Sequence, residues 1–106
     1  MKTSLTRLIS VRFDLHLDEE NSIKDSCTCT WHYLDNEDRP AHAQYVMNRE
    51  RDWPFDMHMR SLGSTLEWRA QSMERQGLSF QWSARERGWT IWINFLPSFR
   101  WPIGDQ

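Results

Sequence analysis

From Ile9 to Leu17 the chain alternates without a break. Ile9, Val11, Phe13, Leu15 and Leu17 are apolar, and Ser10, Arg12, Asp14 and His16 between them are polar. A period of two puts each set on its own face of an extended strand, which the 3.6-residue period of a helix cannot do. Cys27, Cys29, Trp31 and Tyr33 repeat the pattern against Thr28, Thr30 and His32. The link between the two runs, residues 18–26, reads as a polar loop. Pairing Leu17 with Cys27 aligns Leu15 with Cys29, Phe13 with Trp31 and Val11 with Tyr33. This predicted register collects every apolar side chain on one face, and a one-residue slip would expose them all.

The C-terminal part follows the same rule. Leu78, Phe80, Trp82 and Ala84 alternate with Ser79, Gln81 and Ser83, and Trp89, Ile91, Ile93 and Phe95 alternate with Thr90, Trp92 and Asn94. Arg85-Glu86-Arg87-Gly88 reads as the turn, its glycine available for a positive φ. The expected pairs are Ala84 with Trp89, Trp82 with Ile91 and Phe80 with Ile93. Pro97 and Pro102 are expected to end regular structure, leaving a tail with Phe99, Arg100 and Trp101.

Two middle segments read both ways. Ser64-Thr65-Leu66-Glu67 resembles a capping box and Gly77 a helix stop, which suits a helix over 64–76. Yet Leu66, Trp68 and Ala70 alternate, and could pair with Ala84, Trp82 and Phe80, with residues 74–77 then a turn. Over 40–51, Pro40 and the flanking charges suit a helix, whereas Ala41, Ala43, Tyr45 and Met47 suit a strand. Phe55, Met57 and Met59 read as a short strand. The expected fold class is mainly β, a single antiparallel curled sheet or small meander barrel of about six to seven strands. The alternative is an α+β order, ββαβαββ, with helices near 40–51 and 64–76.

A chain of 106 residues suits one domain, 1–106, with one core. Seven Trp, five Phe and two Tyr argue against disorder. The net charge of −2 argues against a polyanion partner, so nucleic acid is not expected. No apolar run is long enough to span a membrane, and Arg7, Ser10 and Arg12 interrupt any leader-like stretch, so the expected location is cytoplasmic. Two cysteines are too few for a disulfide scaffold.

Candidate chemistry is sparse. Cys27 and Cys29 share a strand face and could hold a metal, but His16 and His32 fall on the other face, so no metal is expected. His16, Asp14 and His32 share the polar face without an activated nucleophile. Asp56, His58 and Arg60 align along one strand face and are the strongest catalytic cluster. Gly63, Gly77, Gly88 and Gly104 form no phosphate-cradling loop, and no cofactor is implied. Trp92 has only polar neighbours on its face, so it is either covered by another segment or left for a partner. Arginine outnumbers lysine eleven to two, and Arg with Trp is the composition of interface hot spots.

These features point first to a non-enzymatic protein-binding module of inhibitor or immunity type, helped by acidic loops at 18–25 and 35–38. Its contact residues would be Trp92, Arg85, Arg87, Gln81 and Trp101, and a homodimer would be compatible with it. The second expectation is a carrier holding an apolar or aromatic ligand among Phe13, Trp31, Tyr33, Phe80 and Trp82. The third is a small enzyme using Asp56 and His58.

Overall fold

The computed structural model describes residues 4–49, 51–52, 57–70, 75–97 and 100–103. Among these residues eight strands follow one another: β1 (Ser4–His16), β2 (Ser26–Leu34), β3 (Pro40–Asn48), β4 (Met57–Leu62), β5 (Thr65–Ala70), β6 (Arg75–Ser83), β7 (Gly88–Phe95) and β8 (Arg100–Ile103). No helix occurs among the described residues, and the described parts of both ambiguous middle segments are extended, as β3, as β5 and as the start of β6. The protein is mainly β.

Six strands make one antiparallel sheet in the order β3-β2-β1-β7-β6, with β8 added to β1. β1 is the centre because it carries the longest alternation. β2 runs along Arg7–Asp14 on one edge. On the other edge β7 takes Ser10–His16 and β8 takes Ser4–Arg7. The tail therefore continues the sheet instead of leaving it. Pro102 is tolerated there because β8 is a short outer strand, where a missing N–H costs little. β3 and β6 do not meet, and the sheet stays open rather than closing into a barrel.

One face of the sheet is the core. Val11, Phe13, Leu15, Ile91 and Ile93 are wholly buried there, with Cys27, Cys29, Met47, Trp89 and Phe95 around them. A second layer, the β4–β5 hairpin, packs on this face through Met59, Leu66 and Trp68. Ser61 locks the layers: its hydroxyl accepts the indole N–H of Trp89 at 3.1 Å and donates to the Gly63 carbonyl at 3.1 Å. Gly63, with φ 62°, opens a two-residue turn between Leu62 and Thr65. That position favours glycine, and it overrides the capping-box pattern that follows it. β5 consequently pairs with β4, opposing Met59 to Trp68, and not with β6.

Both predicted hairpins form, each displaced by two residues. Val11 faces Trp31, Phe13 faces Cys29 and Leu8 faces Tyr33. The cause is the turn. Asp18 Oδ1 accepts the backbone N–H groups of Glu20 and Ser22 at 2.8 and 3.0 Å, and Asn21 takes φ 63°. Leu17 then bridges Ile23, which turns into the core instead of lying in a polar loop. A two-residue slide keeps every side chain on its face, so the sorting of apolar from polar survives.

Ile9 is the exception. An irregularity between Leu8 and Ser10 makes it the extra residue of a bulge, 43% exposed, while Leu8 is buried at 1%.

In the second hairpin Trp82 faces Trp89, Phe80 faces Ile91 and Leu78 faces Ile93. Its turn spans residues 84–87, with the positive φ of 49° on Arg87 rather than on Gly88. Gly88 serves another purpose: a Cβ there would lie 2.5 Å from the Leu15 carbonyl oxygen, so only glycine allows β7 this close to β1. Residues 75–77 belong to β6, with a bulge between Arg75 and Gly77, and make no turn.

Candidate functional site

The sheet's other face carries the polar half of each alternation. Strand pairing sets these residues in rows. Gln44, Thr30, Arg12, Trp92 and Ser79 form one row across β3, β2, β1, β7 and β6. His42, His32, Ser10 and Asn94 form the next. Among the described residues no second layer packs over this face, because β4 and β5 lie against the core side.

Trp92 is half-buried by its own sheet neighbours. Its ring stacks on His32 at a centroid distance of 5.5 Å and a tilt of 30°. The small Ser10 lies opposite His32 on the intervening strand and leaves room for that contact. The Arg12 guanidinium carbon sits 5.6 Å from the indole centroid, within cation–π range. Arg12 is held by Asp14, Nε to Oδ2 at 3.2 Å, and Asp14 in turn accepts the Thr90 hydroxyl at 3.2 Å. Thr90, Asp14, Arg12, Trp92 and His32 thus form one connected and positioned chain. Among the described residues no other segment covers Trp92, and its own face partly buries it.

Beside this chain opens a cleft of about 300 Å³ lined by Arg12, Thr30, His32, His42 and Gln44. Behind its wall the Thr30 hydroxyl and His32 Nε2 are buried without a hydrogen-bond partner. Thr30 is 6% exposed, so its unpartnered oxygen is a structural cost. Burial lowers the proton affinity of His32 below the ordinary imidazole value, and His42 and Arg12 lower it further. The imidazole therefore favours its neutral form, able to donate through one nitrogen and accept through the other. A wider cleft of about 620 Å³ lies where the turn after β1 meets the β4–β5 hairpin, with Ile23, Met59, Arg60 and Ser61 in its wall.

The expected contact residues disperse. Gln81 is exposed on the same face as Trp92, one row away, opposite Thr90. Arg85 and Arg87 lie in the β6–β7 turn, at the end of the sheet. Arg87 ties that turn to the one after β1, donating to Asn21 Oδ1 and to the Asp18 carbonyl oxygen. Trp101 is in β8 opposite Thr6, its side chain outside the described residues. The acidic loops are turn-builders: Asp35 repeats the Asp18 device, accepting the N–H groups of Glu37 and Arg39 at 2.8 and 3.0 Å. Those backbone bonds hold its carboxyl below the usual carboxylate range.

The proposed ligand-cavity residues sit on the core side. Phe13 is wholly enclosed, Trp31 meets Tyr45 edge-on, and Phe80 and Trp82 pack against Trp89. Tyr33 packs against the rim of the same core, and neither cleft above is lined by any of the five. Asp56 and the side chain of His58 fall outside the described residues, and Arg60 is exposed on β4. Burial pushes the Cys27 thiol up to about 11 and Cys29 to about 12, with the Trp31 indole N–H donating to Cys29 Sγ. Protonated thiols among apolar neighbours are poor nucleophiles and poor ligands.

Sequence reading missed Arg12, Thr30, His32, His42 and Gln44 as companions of Trp92. The available signal was β1 itself, an alternating run long enough to be paired along both edges. No protein-family model, curated protein or solved structure matches the chain. No helix among the described residues is long and apolar enough to cross a membrane.

Proposed function

We propose that this chain is a non-enzymatic binding module that grips another protein with the polar face of its sheet, Trp92 at the centre of the contact. One observation carries the reading: Trp92, Arg12 and His32 are packed into a positioned group on a face that no described element covers. Trp and Arg are the side chains that most often dominate binding energy, and prior positioning reduces the entropy lost on association. The neighbouring cleft adds specificity. The Arg12 guanidinium and the Gln44 amide can both donate there, which suits a carboxylate or carbonyl of the partner.

The test is affinity capture from the native host with the wild-type protein and Trp92→Ala, followed by measured affinity for the captured protein. Losing one stacked ring and one cation–π contact should cost the fold about 1–2 kcal/mol. Loss at a hot spot should weaken binding by about 2 kcal/mol or more, roughly 30-fold. A partner held equally well by a folded Trp92→Ala protein would overturn the proposal.

A further inference from the structure

Charge is unevenly placed on this molecule. Strand pairing puts Arg7, Arg12, His16, His32 and His42 on the polar face of the main sheet. Among the described side chains the one carboxylate there is Asp14, and it is already engaged. Its Oδ2 accepts Arg12 Nε and its Oδ1 accepts the Thr90 hydroxyl. The chain as a whole carries −2, so its acids lie elsewhere. Asp18, Glu19, Glu20 and Asp25 fall in the connection before β2, and Asp35, Glu37 and Asp38 in the turn after it. Arg12 keeps donors in reserve. Only its Nε bonds Asp14, its side chain is 36% exposed, and its terminal nitrogens donate to no described residue.

We propose that the cleft beside Trp92 takes an aspartate or glutamate side chain of an acidic partner protein, its carboxylate paired with the terminal N–H groups of Arg12. The inference rests on the binding-module reading above and names the chemistry of the partner. Two parallel N–H groups on a guanidinium match the two oxygens of a carboxylate, which a single carbonyl cannot use together. The Asp14 bond and the Trp92 ring hold Arg12 in place before the partner arrives. Gln44 supplies another donor at the wall, and a cleft of about 300 Å³ has room for one such side chain. No unengaged carboxylate among the described side chains of this face opposes an anion, so the face complements an acidic surface. Nucleic acid fits less well. β2 is nine residues, about 30 Å long, and acidic turns stand at both of its ends. A phosphate strand laid along it would meet repulsion at each, because its charges recur every few ångströms. A lone carboxylate on a folded partner avoids both turns.

NMR titration of the full chain with a capped hexaglutamate peptide tests this, with capped hexaglutamine as the neutral control. The glutamate peptide should saturably shift the Trp92 indole N–H, the Arg12 Nε–H and the Gln44 side-chain amide, and the glutamine peptide should not. Arg12→Gln should weaken the glutamate peptide at least about tenfold. Arg60→Gln, in the layer on the opposite side of the sheet, should leave it unchanged. Absent shifts at these three groups in the wild type overturn the inference whatever the variants do. Equal binding of the glutamine peptide, or an Arg12→Gln protein that binds hexaglutamate as tightly as wild type, overturns it too. Tighter binding of dodecathymidylate than of hexaglutamate overturns it in favour of nucleic acid. A captured, Trp92-dependent partner held equally well by Arg12→Gln leaves the binding module standing and removes the carboxylate contact. Hexaglutamate bound here while no captured partner depends on Trp92 supports the carboxylate site and removes the hot spot.

Discussion

Replacing Gly88 by alanine places one methyl group where β7 runs closest to β1. The new Cβ would lie 2.5 Å from the Leu15 carbonyl oxygen and 3.0 Å from His16 Nδ1. Comfortable contact for such atoms is near about 3.5 Å, so the strands must separate locally by roughly 1 Å. The exposed His16 ring can swing away, but the Leu15 oxygen is backbone, fixed by a wholly buried side chain in the central strand. Overpacking of this kind costs about 1–3 kcal/mol, and the lower unfolded-state entropy of alanine offsets about 0.4–1 kcal/mol. The expected net loss is about 1–2 kcal/mol, a fall in Tm of several degrees in a domain of this size. Gly77→Ala is the internal control. Its Cβ would meet only Asn94 Nδ2, at an ordinary 3.5 Å, so it should be neutral or slightly stabilising. Urea titrations of both variants, read at equal slope, measure the difference directly. Gly88→Ala as stable as Gly77→Ala would refute the claim that strand proximity, rather than turn geometry, demands this glycine.

Two further outcomes concern the cleft. Thr30→Val keeps the shape of the side chain and removes an unpartnered buried hydroxyl, so stability should hold or rise by up to about 1 kcal/mol; a loss beyond about 1 kcal/mol in denaturant titration would mean that the hydroxyl is already bonded in the free protein. Because His32 has a lowered pKa in the fold, the unfolded chain binds its proton more readily, and stability must fall as pH drops from above the ordinary value of 6.5 through the folded pKa. Unfolding curves of wild type and His32→Gln should diverge in that window, the wild type losing more on acidification; parallel curves or the reverse slope would contradict the burial of this imidazole.

The sequence by itself determined which side chains share a face. Val11, Phe13, Leu15, Cys27, Cys29, Trp89, Ile91 and Ile93 all point into the core, as their alternation requires, although both hairpins slid by two residues from the expected pairing. Period-two patterning is a property of each strand alone, and a slide by an even number leaves it intact.

Register itself was not local. It depended on backbone hydrogen bonds to the Asp18 carboxylate that shortened a turn, on Ile23 finding a place in the core, and on a bulge that exchanged Leu8 for Ile9. Strand adjacency was less legible still. Nothing within residues 89–95 says that Arg12 will stand beside Trp92, and nothing within β3 says that His42 and Gln44 will border Thr30. Those neighbours exist because β1 pairs along both edges, a long-range choice made by the packing of the whole sheet. The candidate site therefore belongs to the tertiary structure: each side chain was visible in the sequence, and their association was decided only when the strands were ordered.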